Sequence, residues 1–375
     1  MSHTRAAYLH IPFCAAKCYY CEFNSYPAQE PLFDDYVRAI QLEILCAKDD
    51  SPLSTVYFGG GTPTVLSFAQ LKAMLDAVYD KFGVDSDAEI TIEANPCTVD
   101  ISKLSALRES GFNRLSLGVQ SLDDDMLQKL GRIHSTSEAL DAYSNARKAG
   151  FENIGIDLMF ALPNQTIFDW RAALSRAMDL FPEHISLYEL SIGEGTKFAE
   201  LYTGSSVLPD EDLKLEMYQA TIDTLTTAGY EHYEVSNFAR PGFRSRHNQV
   251  YWQNKPYCGF GAGATSYIDG VRSTNIKSPK DYIDSLLNGG SPVDSSEVVS
   301  KETSMGETVM LALRTADGLN RLAFKERYAL DVTDVYREQI NRFAEAELIE
   351  LTSDSLRLTC KGLYLADEIA QEFLP

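Results

Sequence analysis

Short β-rich segments alternate with helical segments through about the first 195 residues of this 375-residue chain. The six β-rich segments are residues 7–11, 55–58, 89–93, 114–119, 154–159 and 185–190. The first helical stripe carries Phe33, Val37, Ile40 and Ile44, and the second, which Ser67 can cap, carries Leu71, Leu75, Val78 and Phe82. Strand–helix alternation at this spacing is typical of parallel βαβ units. We therefore expect an α/β fold containing a partial (β/α)6 barrel.

Unusual residues follow nearly every predicted strand. In chain order they are the loop from Cys14, the run Gly-Gly-Gly-Thr-Pro-Thr at 59–64, residues 93–96, residues 118–121, Asp157 and residues 189–196. Parallel barrels carry their active sites at the carboxyl ends of the strands. The sequence therefore predicts one shared site at this end of the barrel.

Three cysteines, Cys14, Cys18 and Cys21, follow the first strand at C-x3-C-x2-C spacing. Thiolates select iron–sulfur clusters, zinc or Cu(I) over hard cations. A cubane cluster usually takes four cysteines, so three would leave one iron open to an exchangeable ligand. A zinc site completed by His10 or another residue is the alternative, although such sites usually add a second cysteine pair. The remaining cysteines are scattered and suit buried thiols of a reducing compartment: Cys46, Cys97, Cys258 and Cys360.

Composition limits the partners that we expect. The formal net charge of −21 disfavours nucleic acid and anionic membrane surfaces, because both need clustered Lys and Arg. No apolar run approaches the roughly 18 residues of a spanning helix, and the first strand begins too early to leave room for a presequence. We therefore expect a cytoplasmic protein with no transmembrane segment and no nucleic-acid partner.

The pattern changes after the alternating region. Residues from about 200 to 295 look less regular, and the tail then predicts helices at 302–315, 319–327 and 332–346, a hairpin of 348–351 with 356–359, and a helix at 361–373. Helices followed by a hairpin indicate a winged-helix-like module. Residues 301–375 hold nine Lys and Arg against fourteen Asp and Glu, which favours packing or a lid over DNA binding. We expect a core of residues 1–235, a connecting region of 236–299 and a C-terminal module of 300–375, the last two forming a smaller α+β region.

The glycine run after the second strand suits a small ligand. It lacks the lysine of a P-loop and the spacing of a dinucleotide fingerprint. Glycines at a strand end allow an amino-acid-like ligand to approach and to hydrogen-bond with exposed amides. Single polar residues stand near the other strand ends: Glu93, Gln120, Arg132 and Asp157. Each alone is equally typical of an ordinary surface or capping group, but together they offer partners for a ribose, a carboxylate and an ammonium group.

Five motifs make a family resemblance specific. They are Y-L-H-I-P-F-C at 8–14, the cysteine loop, G-G-G-T-P-T at 59–64, E-A-N-P at 93–96 and G-V-Q-S at 118–121. Together they resemble radical S-adenosylmethionine (SAM) proteins, in the branch of oxygen-independent coproporphyrinogen III dehydrogenase and the HemW-type heme chaperones. The resemblance covers nearly the whole chain and implies a radical-SAM barrel. It also implies that Cys14, Cys18 and Cys21 hold a [4Fe–4S] cluster whose fourth iron is chelated by SAM. The implied SAM-contacting residues are Tyr8, Gly60, Gly61, Thr62, Glu93, Gln120, Arg132 and Asp157.

Phe23 separates the two sides of this branch. The dehydrogenases typically carry C-x3-C-x2-C-x-C and a long segment before that motif. In this chain Phe23 stands where the extra cysteine would be, and thirteen residues precede Cys14. Both features resemble the HemW type, and we place Phe23 among the cofactor-site residues.

A second motif supports the same side. Residues 247–252 read H-N-Q-V-Y-W, which resembles the heme-binding H-N-x-x-Y-W motif of the chaperones. The resemblance implies that His247 is an axial heme ligand, that Tyr251 and Trp252 stack on the porphyrin, and that Arg244 and Arg246 pair with its propionates. Without the family resemblance, a loop histidine satisfied by backbone is the better interpretation of His247. Relatives often carry a histidine where Thr265 stands here, which weakens the heme assignment.

The expected function is that of a heme chaperone that carries a [4Fe–4S] cluster and SAM. Its partners would be heme and heme-acceptor proteins of the respiratory or photosynthetic chain, with homodimerisation and peripheral contact with membrane heme proteins. The alternative is a radical SAM dehydrogenase that decarboxylates the propionates of a porphyrinogen. A structural zinc protein with a regulatory winged helix is the third interpretation.

Overall fold

The parallel strands expected from the sequence are all present. The computed structural model describes residues 5–47, 50–205 and 207–375, so residues 1–4 of the expected core lie outside the described residues. The first eight strands are β1 (Arg5–Ile11), β2 (Phe13–Cys14), β3 (Tyr26–Pro27), β4 (Leu53–Gly60), β5 (Val84–Ala94), β6 (Arg114–Gln120), β7 (Asn153–Phe160) and β8 (His184–Glu189). Six of them lie side by side and parallel in the order β1-β4-β5-β6-β7-β8. The α/β prediction is confirmed.

Amphipathic helices connect these strands and cover the outer face of the sheet. They are α1 (Phe33–Leu45), α2 (Phe68–Lys81), α3 (Ile101–Glu109), α4 (Asp124–Lys129), α5 (Thr136–Lys148) and α6 (Ile167–Met178), with short 3-10 turns at Glu30–Leu32, Pro63–Val65 and Pro96–Thr98. Ser67 begins α2 as expected, because its hydroxyl accepts from the Gln70 amide and the Gln70 side chain accepts from the Ser67 amide. Outward-facing strand residues such as Val56 and Phe58 pack against these helices in one large apolar core.

The inward faces of the same strands are polar. Alternation along β4 places Thr55 and Tyr57 opposite the core residues Val56 and Phe58. The neighbouring strands contribute buried Glu89, Arg114 and His184. The barrel interior is therefore lined with side chains that can bind polar ligands.

Residues 197–298 are more regular than their sequence suggests. They form α7 (Lys197–Tyr202), α8 (Glu211–Thr227), β9 (Glu231–Glu234), β10 (Asn237–Ala239), α9 (Arg246–Trp252), β11 (Tyr257–Phe260), β12 (Thr265–Ile268), β13 (Val271–Asn275), α10 (Pro279–Leu287) and β14 (Val293–Val298). Strand β10 pairs antiparallel with β8 and with β9, while β11 extends the other edge in parallel with β1. Strands β12, β13 and β14 follow β11 in antiparallel order, so that one sheet contains twelve strands.

The C-terminal module has a core of its own. Its elements are α11 (Lys301–Leu313), β15 (Leu319–Asn320), α12 (Arg321–Tyr328), α13 (Val332–Val335), α14 (Arg337–Glu345), β16 (Ile349–Leu351), β17 (Ser355–Leu358), α15 (Cys360–Leu363) and α16 (Ala366–Gln371). The hairpin of β16 and β17 is confirmed, and β15 adds a third strand beside β17. Residues of all these elements except α15 meet in a separate apolar cluster that includes Val309, Phe324 and Leu356.

Three helix predictions in this module are wrong in detail. Leu319 and Asn320 form a strand instead of a helical turn, because Asn320 caps α12 with its side-chain oxygen on the Ala323 amide. The segment predicted as one helix over 332–346 breaks at Tyr336, and the last helix breaks at Tyr364 and Leu365. Within the described residues, no helix combines the length and hydropathy needed to cross a bilayer. The boundaries at 235 and 299 remain predictions.

Candidate functional site

A cavity of about 350 Å³ opens at the carboxyl ends of the barrel strands. The predicted site residues that line it are Cys14, Cys18, Cys21, Phe23, Gly60, Gly61, Thr62, Glu93, Gln120, Arg132 and Asp157. Tyr8 is the predicted SAM-site residue that is absent from its wall. The parallel register of the strands therefore brings together side chains that are up to 143 positions apart, from Cys14 to Asp157.

Tyr8 lies behind the cysteine loop and contacts it indirectly, through a hydrogen bond to His10. The Asn24 carbonyl can only accept, so His10 Nε2 carries the proton that it donates to Asn24 at 2.9 Å. His10 Nδ1 then accepts from the Tyr8 hydroxyl at 3.0 Å. Burial lowers the pKa of His10, which keeps the ring neutral in this role. Both residues hold the loop in place. His10 does not line the cavity, which a zinc ligand at this site would have to do.

Each of the three cysteine sulfurs faces a polar group. Arg132 Nη1 donates to Cys18 Sγ at 3.3 Å, Thr62 Oγ1 donates to Cys14 Sγ at 3.6 Å, and Cys21 Sγ lies 3.8 Å from Ser25 Oγ. Hydrogen bonds to sulfur tune the potential of iron–sulfur clusters. Burial raises the pKa of the Cys14 thiol, and the Thr62 contact lowers it again. In the described part of the chain, no group of three His, Cys, Asp or Glu side chains is arranged to hold a single metal ion.

The glycine run fits tightly against the cysteine loop. A Cβ at Gly61 would lie 2.6 Å from the Phe13 carbonyl oxygen and 3.0 Å from Cys14 Sγ. Gly60 has a φ of +113°, and a Cβ there would meet the His10 ring at 2.6 Å. Larger residues would therefore displace the loop or fill the cavity.

The amides of this run do not serve as expected. The Gly60 amide donates to Glu93 Oε2 at 3.1 Å, while those of Gly61 and Thr62 donate to the carbonyl groups of Ile11 and Phe13, just before the cysteine loop. These three donors are used within the protein, so the expectation that they are exposed to a ligand is wrong. They fix the loop and the Glu93 carboxyl instead.

Two carboxyl groups enter the cavity from neighbouring parts of the barrel. Shielding from water raises the pKa of Glu93 to about 7, although hydrogen bonds from Tyr57 and Gly60 and the charge of Arg114 lower it. Burial also raises the pKa of Asp157, against the hydrogen bonds of Ser186 and Ser116. Raised carboxyl pKa values in a cleft indicate a functional site.

Arg132 connects the cysteine loop to strand β6. Besides its contact with Cys18, its Nη2 donates to the Gly118 carbonyl at 2.6 Å. Its Nε is buried and has no hydrogen-bond partner among the described residues. Gln120 ends β6 with a φ of +66°, an uncommon conformation for this residue type. A donor without a partner and a strained glutamine are features that a bound polar ligand explains.

Sequence reasoning missed several residues of the cavity wall. Tyr20, Ser116, Met159 and Tyr188 also line it. Ser116 lies two positions before Gly118, and Met159 lies two positions after Asp157, so each faces inward with its neighbour. Period-two alternation along the predicted strands could have identified these residues, except Tyr20, which lies in the cysteine loop.

The histidine motif lies at the opposite end of the barrel. Thr55 and Glu89 contact His247, and they lie five residues before Gly60 and four residues before Glu93, the cavity residues on the same strands. The Glu89 carboxylate accepts from the backbone amides of Arg246 and His247 at 3.1 and 3.0 Å, which holds the start of α9 inside the barrel. The structure therefore does not bring this motif to the cysteine cavity.

His247 is buried, with 1% of its surface exposed. Its Nδ1 lies 2.9 Å from Thr55 Oγ1, and its Nε2 lies 2.8 Å from the Tyr251 hydroxyl. Burial lowers its pKa to about 3, and the Arg114 charge contributes. Both ring nitrogens are used within the protein, so the assignment of His247 as a heme ligand stays a prediction.

The other predicted heme-contacting residues are also engaged. Trp252 lies beneath Arg314, whose guanidinium carbon is 5.6 Å from the ring centre. Arg244 pairs with Glu231 and Asp317, and Arg246 donates to the Asp87 carbonyl. Thr265 Oγ1 lies 3.1 Å from Thr274 Oγ1 on the adjacent strand. The predicted pairing of both arginines with propionates would require these contacts to be exchanged.

Comparison with known proteins identifies the family. The Radical SAM superfamily model matches residues 8–177, and the HemN C-terminal domain model matches residues 299–365. The chain is 39% identical over 375 residues to heme chaperone HemW of Bacillus subtilis, with 99% of each chain covered. It is 33% identical over 376 residues to heme chaperone HemW of Escherichia coli, covering 98% of this chain and 97% of that one. This chain belongs to the HemW family.

A solved structure supports the same placement of this HemW-family chain. It is similar to coproporphyrinogen III oxidase (HemN) from Escherichia coli, a radical SAM enzyme, with a TM-score of 0.86. The two are 26% identical, and the likeness covers 99% of this chain and 90% of that one. The expected radical-SAM fold and C-terminal module are thereby confirmed.

Membership of the radical SAM superfamily gives this protein a [4Fe–4S] cluster and SAM as cofactors. The cavity fits both groups. Three thiols share one wall, the glycines leave space beside Cys14, and Arg132 Nε points to a missing acceptor. The assignment of each group to individual residues remains a prediction.

Proposed function

We propose that this protein is a heme chaperone, which binds heme and passes it to acceptor proteins. The observation that carries the proposal is the likeness to HemW proteins from end to end, at 33–40% identity for bacterial relatives. Curated members named heme chaperone HemW occur in bacteria as distant as Bacillus and Escherichia. The proposal covers the whole chain, since both the barrel and the C-terminal module fall within the match.

In this proposal Cys14, Cys18 and Cys21 hold the cluster. A bound [4Fe–4S] cluster would supply an electron and one iron without a protein ligand, which the amino and carboxylate groups of SAM would chelate. Arg132 holds Cys18 and offers its unpartnered Nε to a carboxylate. Glu93 accepts from an ammonium or hydroxyl group in its ionised state, and the shielded cavity excludes water from these contacts.

A radical SAM dehydrogenase is the second candidate. The likeness to HemN at a TM-score of 0.86 favours it, because the two chains share one fold and HemN is a radical SAM enzyme. Phe23 opposes it. This residue lines the cavity with 68% of its surface exposed, and its ring offers no ligand where the dehydrogenases are expected to carry another cysteine.

The proposal also includes a cytoplasmic location, a homodimer and peripheral contact with membrane proteins that accept heme. The cytoplasmic location is expected from the composition of the chain, and the other two points come from the family resemblance. Fractionation of cells and light scattering of the purified protein, with and without hemin, test them directly.

A paired assay tests the main proposal. Anaerobically reconstituted protein receives coproporphyrinogen III, SAM and a reductant, and in a parallel sample it is titrated with hemin. We expect saturable binding of heme and no decarboxylated porphyrinogen. Turnover of the porphyrinogen would reverse the order of the two candidate functions. A protein that binds no heme would refute the heme chaperone proposal.

A further inference from the structure

Three polar atoms inside the barrel lack a hydrogen-bond partner among the described residues. They are Thr91 Oγ1 on β5, Arg114 Nε on β6 and His184 Nδ1 on β8. The three residues are buried, with 0%, 2% and 1% of their surface exposed. Buried polar atoms are rarely left without a partner, so three of them in one barrel indicate a group that the protein binds there.

Gly155 on β7 marks the place where such a group fits. The strand register places Gly155 between Ser116 on β6 and His184 on β8. A Cβ at Gly155 would lie 3.4 Å from His184 Nδ1 and 3.5 Å from both Arg114 Nη2 and Ser116 Oγ. Three polar atoms therefore surround a point that other residue types would fill with a methylene or methyl group. We call it the barrel-interior site and define it by these four residues.

Two of the groups around the barrel-interior site are hydrogen-bond donors. The Tyr233 hydroxyl accepts from the Ser245 amide and lies 2.7 Å from His184 Nε2, so its own hydrogen is donated to that nitrogen. Burial and the Arg114 charge lower the pKa of His184 well below its ordinary value, which keeps the ring neutral. A neutral ring whose Nε2 accepts carries its proton on Nδ1. The site is therefore faced by an imidazole N–H and by a guanidinium group.

Ser116 supplies an acceptor at the same point. Its hydroxyl donates to the Asp157 carboxylate at 3.3 and 3.4 Å, which leaves its oxygen able to accept. Water at the site can thus accept from Arg114 and His184 and donate to Ser116, and buried water typically makes about three hydrogen bonds. A small anion fits less well, because it cannot donate to Ser116. It would also meet the negative charges of Glu89 and Asp157, which act on Arg114.

Asp157 connects the barrel-interior site to the cysteine cavity. It lines the cavity and lies two positions after Gly155, on the same face of β7. Burial raises the pKa of Asp157, and the hydrogen bond from Ser186 lowers it again, together with the Arg114 charge. Without that charge, less of Asp157 is ionised near neutral pH. The other charged or titratable groups around this carboxyl are Arg132, Glu93, Tyr57 and Tyr188.

We propose that a water molecule is bound at the barrel-interior site and that Arg114 acts through it as a positioning residue for the Asp157 carboxyl. The water accepts from the guanidinium and donates to Ser116, which then donates more strongly to Asp157, because linked hydrogen bonds polarise one another. This holds the carboxyl ionised and in one orientation at the cavity wall. The role rests on the predicted contact of Asp157 with SAM. It does not depend on heme, so it applies to either candidate function.

Gly155→Ala tests the bound water. The added methyl fits at ordinary contact distance but takes the place of the water, so Arg114 and His184 lose their acceptor. We expect urea unfolding of the full-length, reconstituted protein to shift to lower urea than in the wild type. Gly83→Ala is the matched control, because the nearest atom to a Cβ there is 3.5 Å away on Pro52, and its midpoint should not fall. A midpoint for Gly155→Ala equal to or above that of the wild type would overturn the proposal.

Arg114→Gln tests the positioning role through SAM affinity. Loss of the charge should weaken SAM binding at pH 7 about three- to tenfold, the range for loss of one ordinary hydrogen bond. The difference from the wild type should shrink at pH 8.5, where Asp157 ionises without the Arg114 charge. Arg114→Lys keeps the charge and should bind SAM more tightly than Arg114→Gln at pH 7. Anaerobic calorimetric titration measures these affinities, with Arg38→Gln on the exposed face of α1 as the control.

The SAM titrations separate positioning from mere support of the barrel. Unchanged affinity in Arg114→Gln, equal losses at both pH values, or equal affinities of the Gln and Lys variants would refute the role. Cluster absorbance and circular dichroism show whether each variant folds. If Arg114→Gln does not fold, Ser116→Ala removes only the hydroxyl that links the water to Asp157, and it should show the same pH-dependent loss. These readouts use no hemin, so failure of this role and failure of the heme chaperone proposal are observed in different experiments.

Discussion

The hydroxyl of Tyr57 donates a 2.7 Å hydrogen bond to Glu93 Oε1. The ring of the same tyrosine stacks on His247, with ring centres 5.0 Å apart. Tyr57 therefore contacts both a carboxyl group of the cysteine cavity and the enclosed histidine of the H-N-x-x-Y-W motif. It is a positioning residue for Glu93, because it acts through that carboxyl and does not line the cavity.

We predict that Tyr57→Phe raises the pKa of Glu93 above its present value of about 7. In the wild type this hydrogen bond stabilises the charged carboxylate, so its loss leaves less of Glu93 ionised at neutral pH. SAM affinity at pH 7 is expected to fall about three- to tenfold, the range for loss of one ordinary hydrogen bond. Calorimetric titration at pH 7 and at pH 8.5 measures this, with recovery expected at the higher pH. Tyr79→Phe on the surface of α2 is the control, and equal losses at both pH values would refute the mechanism.

The three cysteines are predicted to act as a set. Cys14→Ser, Cys18→Ser and Cys21→Ser should each remove most of the iron, the sulfide and the cluster absorbance after anaerobic reconstitution, because three ligands already leave one iron without a protein donor. Cys46→Ser removes an exposed thiol elsewhere and should change nothing. Retention of a full cluster by any one of the three variants would show that its sulfur is not a ligand.

Arg132→Gln tests the charged link between Cys18 and the cavity. The variant loses a cation whose Nη atoms contact Cys18 Sγ and the Gly118 carbonyl. Hydrogen bonds to charged groups contribute about 1.5–3 kcal/mol, so SAM affinity is expected to fall about ten- to a hundredfold. Anaerobic equilibrium binding measures the loss, with Arg38→Gln as the control. Affinity equal to that of the wild type would exclude a contact between Arg132 and SAM.

Glu43 gives a prediction on stability and pH. Burial raises its pKa to about 7, although Tyr282, Gly261 and Asn275 donate hydrogen bonds to its carboxyl group. The pKa in the folded state exceeds the ordinary value of 4.5, so the native state binds more protons between these values. The stability that is present below about pH 4.5 is therefore lost as pH rises towards 7. Relative to Glu43→Gln, which does not ionise, the wild-type free energy of unfolding should fall by up to about 3 kcal/mol between pH 5 and pH 8.

Urea unfolding at several pH values measures this difference. Asp35→Asn, which removes an exposed carboxylate from the same helix, is the matched control and should show little of this dependence. A difference between wild type and Glu43→Gln that stays constant with pH would contradict the assignment.

The parts of the fold that could be predicted are those with strong periodicity. The core strands are buried runs flanked by helices with clear apolar stripes, and their carboxyl ends meet by the geometry of parallel sheets. The edge strands could not be predicted in the same way. All six residues of β14 are exposed, so hydrophobicity does not alternate along this strand. Helix α8 buries a weak stripe that includes Ala220 and Thr221, which reads as polar sequence.

The site shows a similar division. Cys14 and Glu93 line the cavity at the carboxyl ends of β2 and β5, where the sequence predicted a site, and their roles there remain predictions. Tyr8 lies on β1, just before the start of this site, but deeper in the protein, behind His10. The spacing of residues in the sequence does not show this depth. The spacing also does not show which end of the barrel a later segment approaches. The burial of His247 beside Thr55 and Glu89 could therefore not be predicted.

Transfer of heme is the most direct test of the central claim. Hemin-loaded, reconstituted protein is mixed with a heme-free acceptor protein, and the absorbance of the acceptor's holo form is followed with time. We predict that the acceptor gains heme in proportion to the heme that this protein loses. An acceptor that stays empty while the protein keeps its heme would contradict the account.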